Sequence, residues 1–181
     1  AHVVSSFTAF AASTTAVETA DNEGTQPLTL MPRIIPKATE SHSSDEITDM
    51  DGHYILASDF TFASDFTSLG TSAKPFRGII DGQLNTLTGL TVPWVAFAEG
   101  ATIKNVILDN VGISSAVAFG DNKKAIGAIA GVATGTTRIY NCGILATNST
   151  VKTNNDGYTE ITSCTSSVGG TADYVGGLVG Y

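Results

Sequence analysis

Positive charge is scarce in this chain. Nine Lys and Arg stand against 17 Asp and Glu in 181 residues, for a net charge of −8. Counterion release on nucleic acid needs a basic face, so no nucleic-acid partner is expected. Charged residues of both signs make only 14% of the chain, while hydrophobic residues make 42%. That balance excludes wholesale disorder and a charged coiled coil. No apolar run approaches the ~20 residues of a membrane-crossing helix, and the chain is expected not to span a membrane. Two cysteines, Cys142 and Cys164, are too few for a disulfide scaffold or a structural zinc site. Helical periodicity is nearly missing. The best candidate helix is Ser43–Met50, capped by Ser44 with Asp45 and Glu46 in its first turn. There is no initiator Met and no basic-then-apolar leader, which reads as a mature or trimmed chain.

Glycine is plentiful but unevenly spread. Only Gly24 falls in the first 50 residues, and the other 18 lie in 52–181. Residues 1–44 are rich in Ser, Thr and Ala and carry Pro27, Pro32 and Pro36. Each Pro removes an amide donor, so this stretch is expected to be an extended, edge-type arm and not a central strand. From 45 to 181 short runs of β-branched and aromatic residues alternate with Gly, Asn, Asp and Thr, as in Tyr54-Ile55-Leu56, Gly78-Ile79-Ile80 and Val106-Ile107-Leu108. These are strand-length pieces punctuated by turn residues.

A short unit recurs within that region: Leu87-Thr88-Gly89-Leu90, Ile103-Lys104-Asn105-Val106, Ile139-Tyr140-Asn141-Cys142 and Ile161-Thr162-Ser163-Cys164. A glycine-framed unit, Gly127-Ala128-Ile129-Ala130-Gly131, returns as Gly177-Leu178-Val179-Gly180, with Val95-Ala96-Phe97-Ala98 as a degenerate copy. Unequal offsets argue for coils with variable loops and against a closed sandwich. The expected fold is all-β: a right-handed parallel β-helix (solenoid) with an extended N-terminal arm. In it, glycines at corners allow positive φ and close approach. An insertion over Gly112–Lys124 bulges outward, with Asp121-Asn122-Lys123-Lys124 at its tip. Cys142 and Cys164 take the same position in neighbouring coils, either as a buried thiol ladder or as a disulfide.

These residues resemble a known family. Gly176-Gly177-Leu178-Val179-Gly180 is similar to the GLUG motif, a glycine-framed repeat of bacterial surface proteins. Phe76-Arg77-Gly78-Ile79-Ile80-Asp81-Gly82 with Leu87-Thr88-Gly89-Leu90 resembles the first coil of such domains, and Ile103-Lys104-Asn105-Val106 a later rung. The likeness covers roughly 48–181. It implies an extracellular, cell-surface location and a structural or adhesive role, with surface glycans or proteins of host or bacterium as partners. It carries over no catalytic residue and no cofactor.

Chemistry finds few footholds. His2, His42 and His53 stand in no H-E-x-x-H frame, and no G-x-S-x-G elbow or P-loop occurs. Carboxylates for a glycan-cleaving β-helix enzyme would come from Asp59, Asp65, Asp81 and Asp109. Asp49-Met50-Asp51-Gly52 opens like a calcium loop, but Ser58 stands where the bidentate Glu belongs. Asn148-Ser149-Thr150 is a formal glycosylation sequon. Trp94 and Phe97 could form a sugar-stacking platform, and Tyr140, Tyr158 and Tyr174 are candidate contact residues. The sequence stops at Gly180-Tyr181, where another rung is expected. Either further coils of a longer chain or a second copy would cover that end. In the second case the arm would add to the open coil and build head-to-tail filaments.

Overall fold

The computed structural model describes residues 32–35, 47–153, 155, 157 and 159–181. Among these the chain is all-β, with no helix. After β1 (Pro32–Ile35), a first pass lays down β2 (His53–Leu56) and β3 (Phe60–Thr61). The second pass gives β4 (Ile79–Asp81), β5 (Thr86–Thr88) and β6 (Val95–Glu99). The third gives β7 (Thr102–Lys104), β8 (Ile107–Asp109), β9 (Gly112–Ile113), the hairpin strands β10 (Val117–Phe119) and β11 (Lys123–Ile126), and β12 (Ala130–Thr134). The fourth gives β13 (Arg138–Tyr140), β14 (Gly143–Leu145), a second hairpin of β15 (Thr150–Thr153) and β16 (Thr159–Ser163), then β17 (Ser167–Val168) and β18 (Tyr174–Val175).

Successive passes pair strand on strand, in parallel. One sheet runs β1-β2-β4-β7-β13, a second β3-β5-β8-β14, and a third pairs β6 with β12. Tight turns cannot join parallel neighbours; from β2 onward the connections between parallel neighbours of these three sheets run through strands of the other sheets. The Pro-bearing β1 is the outer strand of its sheet, where a missing amide is tolerated.

The register aligns apolar side chains in rows. Tyr54, Ile80, Ile103 and Ile139 are successive partners. Phe60, Leu87, Leu108 and Ile144 form a second row, and Leu69, Val95, Ala130 and Val179 a third. Three-residue strands with a buried centre, as in Thr86-Leu87-Thr88 and Thr102-Ile103-Lys104, send one apolar residue inward. Full burial of each such side chain contributes about 1.5–3 kcal/mol. At the start of the stack the core also takes in Ile47, Met50, Phe62 and Phe66.

The candidate helix does not form over its described part. Ile47–Met50 is irregular chain entering a turn, and Ser43–Glu46 lie outside the described residues. Local bonds claim the backbone instead. Asp49 N–H donates to the Tyr54 phenol oxygen (3.0 Å), whose O–H donates back to the Asp49 carbonyl (2.9 Å). Asp49 Oδ1 also accepts the Asp51 N–H at 3.0 Å, an Asx turn that accounts for the calcium-like tetrapeptide.

The four tetrapeptides do not share one row. Ile103 and Ile139 pair directly, at an offset of 36 residues. Leu87 belongs to the second sheet, opposite Leu108, and Ile80 holds the place before Ile103. Ile161 lies in β16, antiparallel to β15. Polar strand residues around a turn at Gly157 (φ 80°) close locally, which costs less chain entropy than a further parallel pass. Cys142 and Cys164 are therefore not neighbours in one row. Both are free thiols: Cys142 half-buried above Val106, Cys164 exposed after the hairpin. The insertion is likewise a hairpin. Its turn is Gly120–Asn122, and Lys123 and Lys124 belong to β11.

The glycine-framed units stack 49 residues apart. Ala130 bridges Val179, and the Gly180 N–H donates to the Ala130 carbonyl at 3.1 Å. By that offset Gly127 corresponds to Gly176; Gly177 has nothing within 4 Å of its would-be Cβ. Close approach, not positive φ, explains the framing. A Cβ at Gly127 would meet the Gly180 nitrogen at 2.4 Å, and one at Gly131 would meet Val117 Cγ2 at 2.4 Å. Positive φ at the bend after β7 and β13 falls to Asn105 (56°) and Asn141 (52°), residues that tolerate that region.

Candidate binding surface

The aromatic candidates separate. Trp94 is fully buried, edge-on to Phe62 with ring centroids 6.0 Å apart, which removes it as a contact residue. Tyr140 lies on the outer strand β13 and is 49% exposed. Tyr158 lies outside the described residues. Tyr174 joins a surface cluster with Phe119 (5.9 Å) and Tyr181 (4.8 Å), and Lys123 Nζ stands 5.9 Å from its ring centre, within cation–π range.

The buried carboxylates serve as ties between passes. Burial pushes the Asp81 carboxyl up, but the Asn105 amide (2.9 Å), the Gln83 N–H (3.0 Å) and Lys104 Nζ (3.1 Å) outweigh it and hold it below its usual value. Asp109 follows the same logic. Burial raises it, while the Thr147 hydroxyl, the Thr147 N–H (3.0 Å) and the Asn110 N–H (2.9 Å) bring it below the ordinary range. A general acid needs a raised pKa, and both carboxyls are shifted the other way. Asp59 accepts the Thr86 N–H at 2.7 Å, and Asp65 is exposed.

The bend after β13 repeats that of β7. Asn141 Nδ2 donates to Asn105 Oδ1 at 2.7 Å, and Asn105 Nδ2 donates to Asp81 Oδ1 at 2.9 Å. Cys142 sits beside this bend; burial raises its thiol pKa against contacts with neighbouring backbone.

A cleft of about 300 Å³ opens between β6, β12, the 72–77 segment and the β10 strand of the first hairpin. Phe97 and Phe119 line it half-buried, with Ser72 and Thr134 exposed beside them. Arg77 and Glu99 complete the lining. Arg77 Nε (2.8 Å) and Nη2 (2.5 Å) both donate to Glu99 Oε2, and each side chain is 47% exposed. Phe97 thus stands apart from Trp94. Sequence reasoning passed over Phe119, Arg77 and Glu99. The available signal was Val117-Ala118-Phe119 before a Gly-Asp-Asn turn, a hairpin signature. Nothing in it says where the hairpin docks.

Compared with known proteins, the chain matches no family model, no curated protein and no solved structure.

Proposed function

We propose that the chain is a right-handed parallel β-helix module of the GLUG-like repeat type, with residues 1–44 as an arm and 45–181 as the helical domain. Its role is structural or adhesive at a bacterial surface, outside the cell. It holds surface polymers or proteins on its lateral faces and performs no chemistry. One observation carries this reading: glycine-framed units at an offset of 49 residues stack in register, on passes already joined by three rows of apolar partners. The downward shift of the Asp81 and Asp109 carboxyls argues against either as the general acid of the glycan-active alternative. The test is to incubate the full chain with immobilised surface polysaccharides and matrix proteins. Retention without release of shortened products is expected, and release of products would overturn the reading.

A second reading has its own support. Among the described residues β13 and β14 are the outer strands of their sheets, and Ile139, Cys142 and Ile144 on and beside them are only partly buried. Such an edge can accept a strand of another copy and build a filament. Electron microscopy of the concentrated chain would then show fibres, lost when residues 1–36 are deleted.

A further inference from the structure

We propose that the cleft between β6, β12 and the β10–β11 hairpin is a binding site for a neutral sugar ring of an oligosaccharide. The proposal rests on the lateral-binding reading and gives it a site and a ligand class.

Three features select that class. Its volume of about 300 Å³ is at the lower end for a ligand site, which suits a ring and not a folded partner. Phe97 and Phe119 are half-buried, so each keeps apolar surface in contact with water. The C–H face of a pyranose covers such surface while its hydroxyl groups remain solvated. Arg77 and Glu99 then supply polar contacts. Both of their mutual bonds fall on Oε2, so further guanidinium N–H groups and Oε1 can bond to sugar hydroxyls. Each group already holds the other in place, and neither must be dragged from full hydration, at 47% exposure. The hydroxyls of Ser72 and Thr134 extend the polar rim.

Competing ligands fit less well. The Arg77–Glu99 pair is neutral and the chain carries a net charge of −8, which repels acidic polymers. An extended peptide adds to a free strand edge. In the cleft, β6 is flanked by β12 and Leu69, and β12 by β6 and Val179, which leaves a peptide only the outer edge of the three-residue β10.

The test titrates the full chain with maltohexaose, cellohexaose and mannohexaose, using oligogalacturonate and a heparin hexasaccharide as acidic probes. Saturation-transfer NMR and calorimetry read the binding. At least one neutral probe should bind. Phe119→Ala should weaken it about tenfold, the scale of one lost aromatic contact. Arg77→Met should weaken it as well, whereas Tyr140→Ala, in a different sheet, should not. Thermal melts check folding, and Glu99→Gln, at a half-exposed site, keeps the test alive should Phe119→Ala fail to fold. Preference for the acidic probes, or no neutral probe bound, overturns the proposal. Binding that ignores Phe119 and Arg77 but is lost in Tyr140→Ala sinks the cleft and leaves the lateral-binding reading standing. A chain that polymerises and retains no polymer sinks both.

Discussion

The first three passes and the fourth are built from the same parts but differ in cover. Along the first row, Tyr54, Ile80 and Ile103 are at most 1% exposed, while Ile139 is only partly buried. Along the second, Leu87 and Leu108 are fully buried and Ile144 is not. A central rung touches a rung above and one below, whereas an outer rung touches one. At the opposite end Ile47, Met50, Phe62 and Phe66 are gathered into the core, with Phe62 and Phe66 edge-to-face at 4.8 Å. The lesson is that the value of a residue here depends on its place in the stack more than on its type.

The sharpest way to break this comparison is to truncate one row at two heights. Leu108→Ala should cost about 2–5 kcal/mol in urea unfolding, and Ile144→Ala about 1 kcal/mol, since less surface leaves water. Equal costs would end the distinction. A second pair tests the glycine framing. Gly127→Ala forces a methyl against the neighbouring pass and should cost about 1–3 kcal/mol; Gly177→Ala, in open space, should stay within about 0.5 kcal/mol.

Acid should act next, and mainly on the fourth pass. Asp109 in β8 holds Thr147, which follows β14, so its carboxylate ties the third pass to the fourth. Its folded pKa lies below the usual 3.8. The tie is therefore fully present above that value and is lost as pH falls through the folded pKa. Hydrogen exchange from pH 5 to 2.5 should show β14 losing protection before β8, and Asp109→Asn should flatten the pH dependence. Simultaneous loss in both strands would contradict it. The smallest effect is chemical: a thiol reagent at pH 8 should label exposed Cys164 first and half-buried Cys142 later, because the thiolate is the reacting species. A single fast phase for both thiols would place Cys142 in solvent.

Much of the strand inventory was legible in the sequence, because alternation and turn residues are local signals. The offset of 49 residues between glycine-framed units was legible too, since both copies keep their glycines. The allocation of tetrapeptides to sheets was not. Leu87 and Ile103 carry near-identical local patterns, and only the length of chain between bends decides which sheet each joins. The Ile161 unit misled for a related reason: a hairpin strand and a stacked strand read alike over four residues. In the candidate site, Trp94 and Phe97 are three residues apart yet one is buried and the other lines a cleft. That contrast depends on the 72–77 segment and the hairpin, which are remote in sequence.

The bonded column of Asn141, Asn105 and Asp81 has a direction. A carboxylate can only accept, so it orients the first amide, and that amide orients the second. Each amide dipole points its positive end at the anion and its oxygen away from it. The column thus passes one orientation outward from Asp81 Oδ1 to the exposed Asn141 oxygen, while Lys104 balances the carboxylate's charge at Oδ2. Whatever meets that atom is met by an acceptor, and a carboxylate substituted at 141 would face the Asn105 oxygen with lone pairs alone.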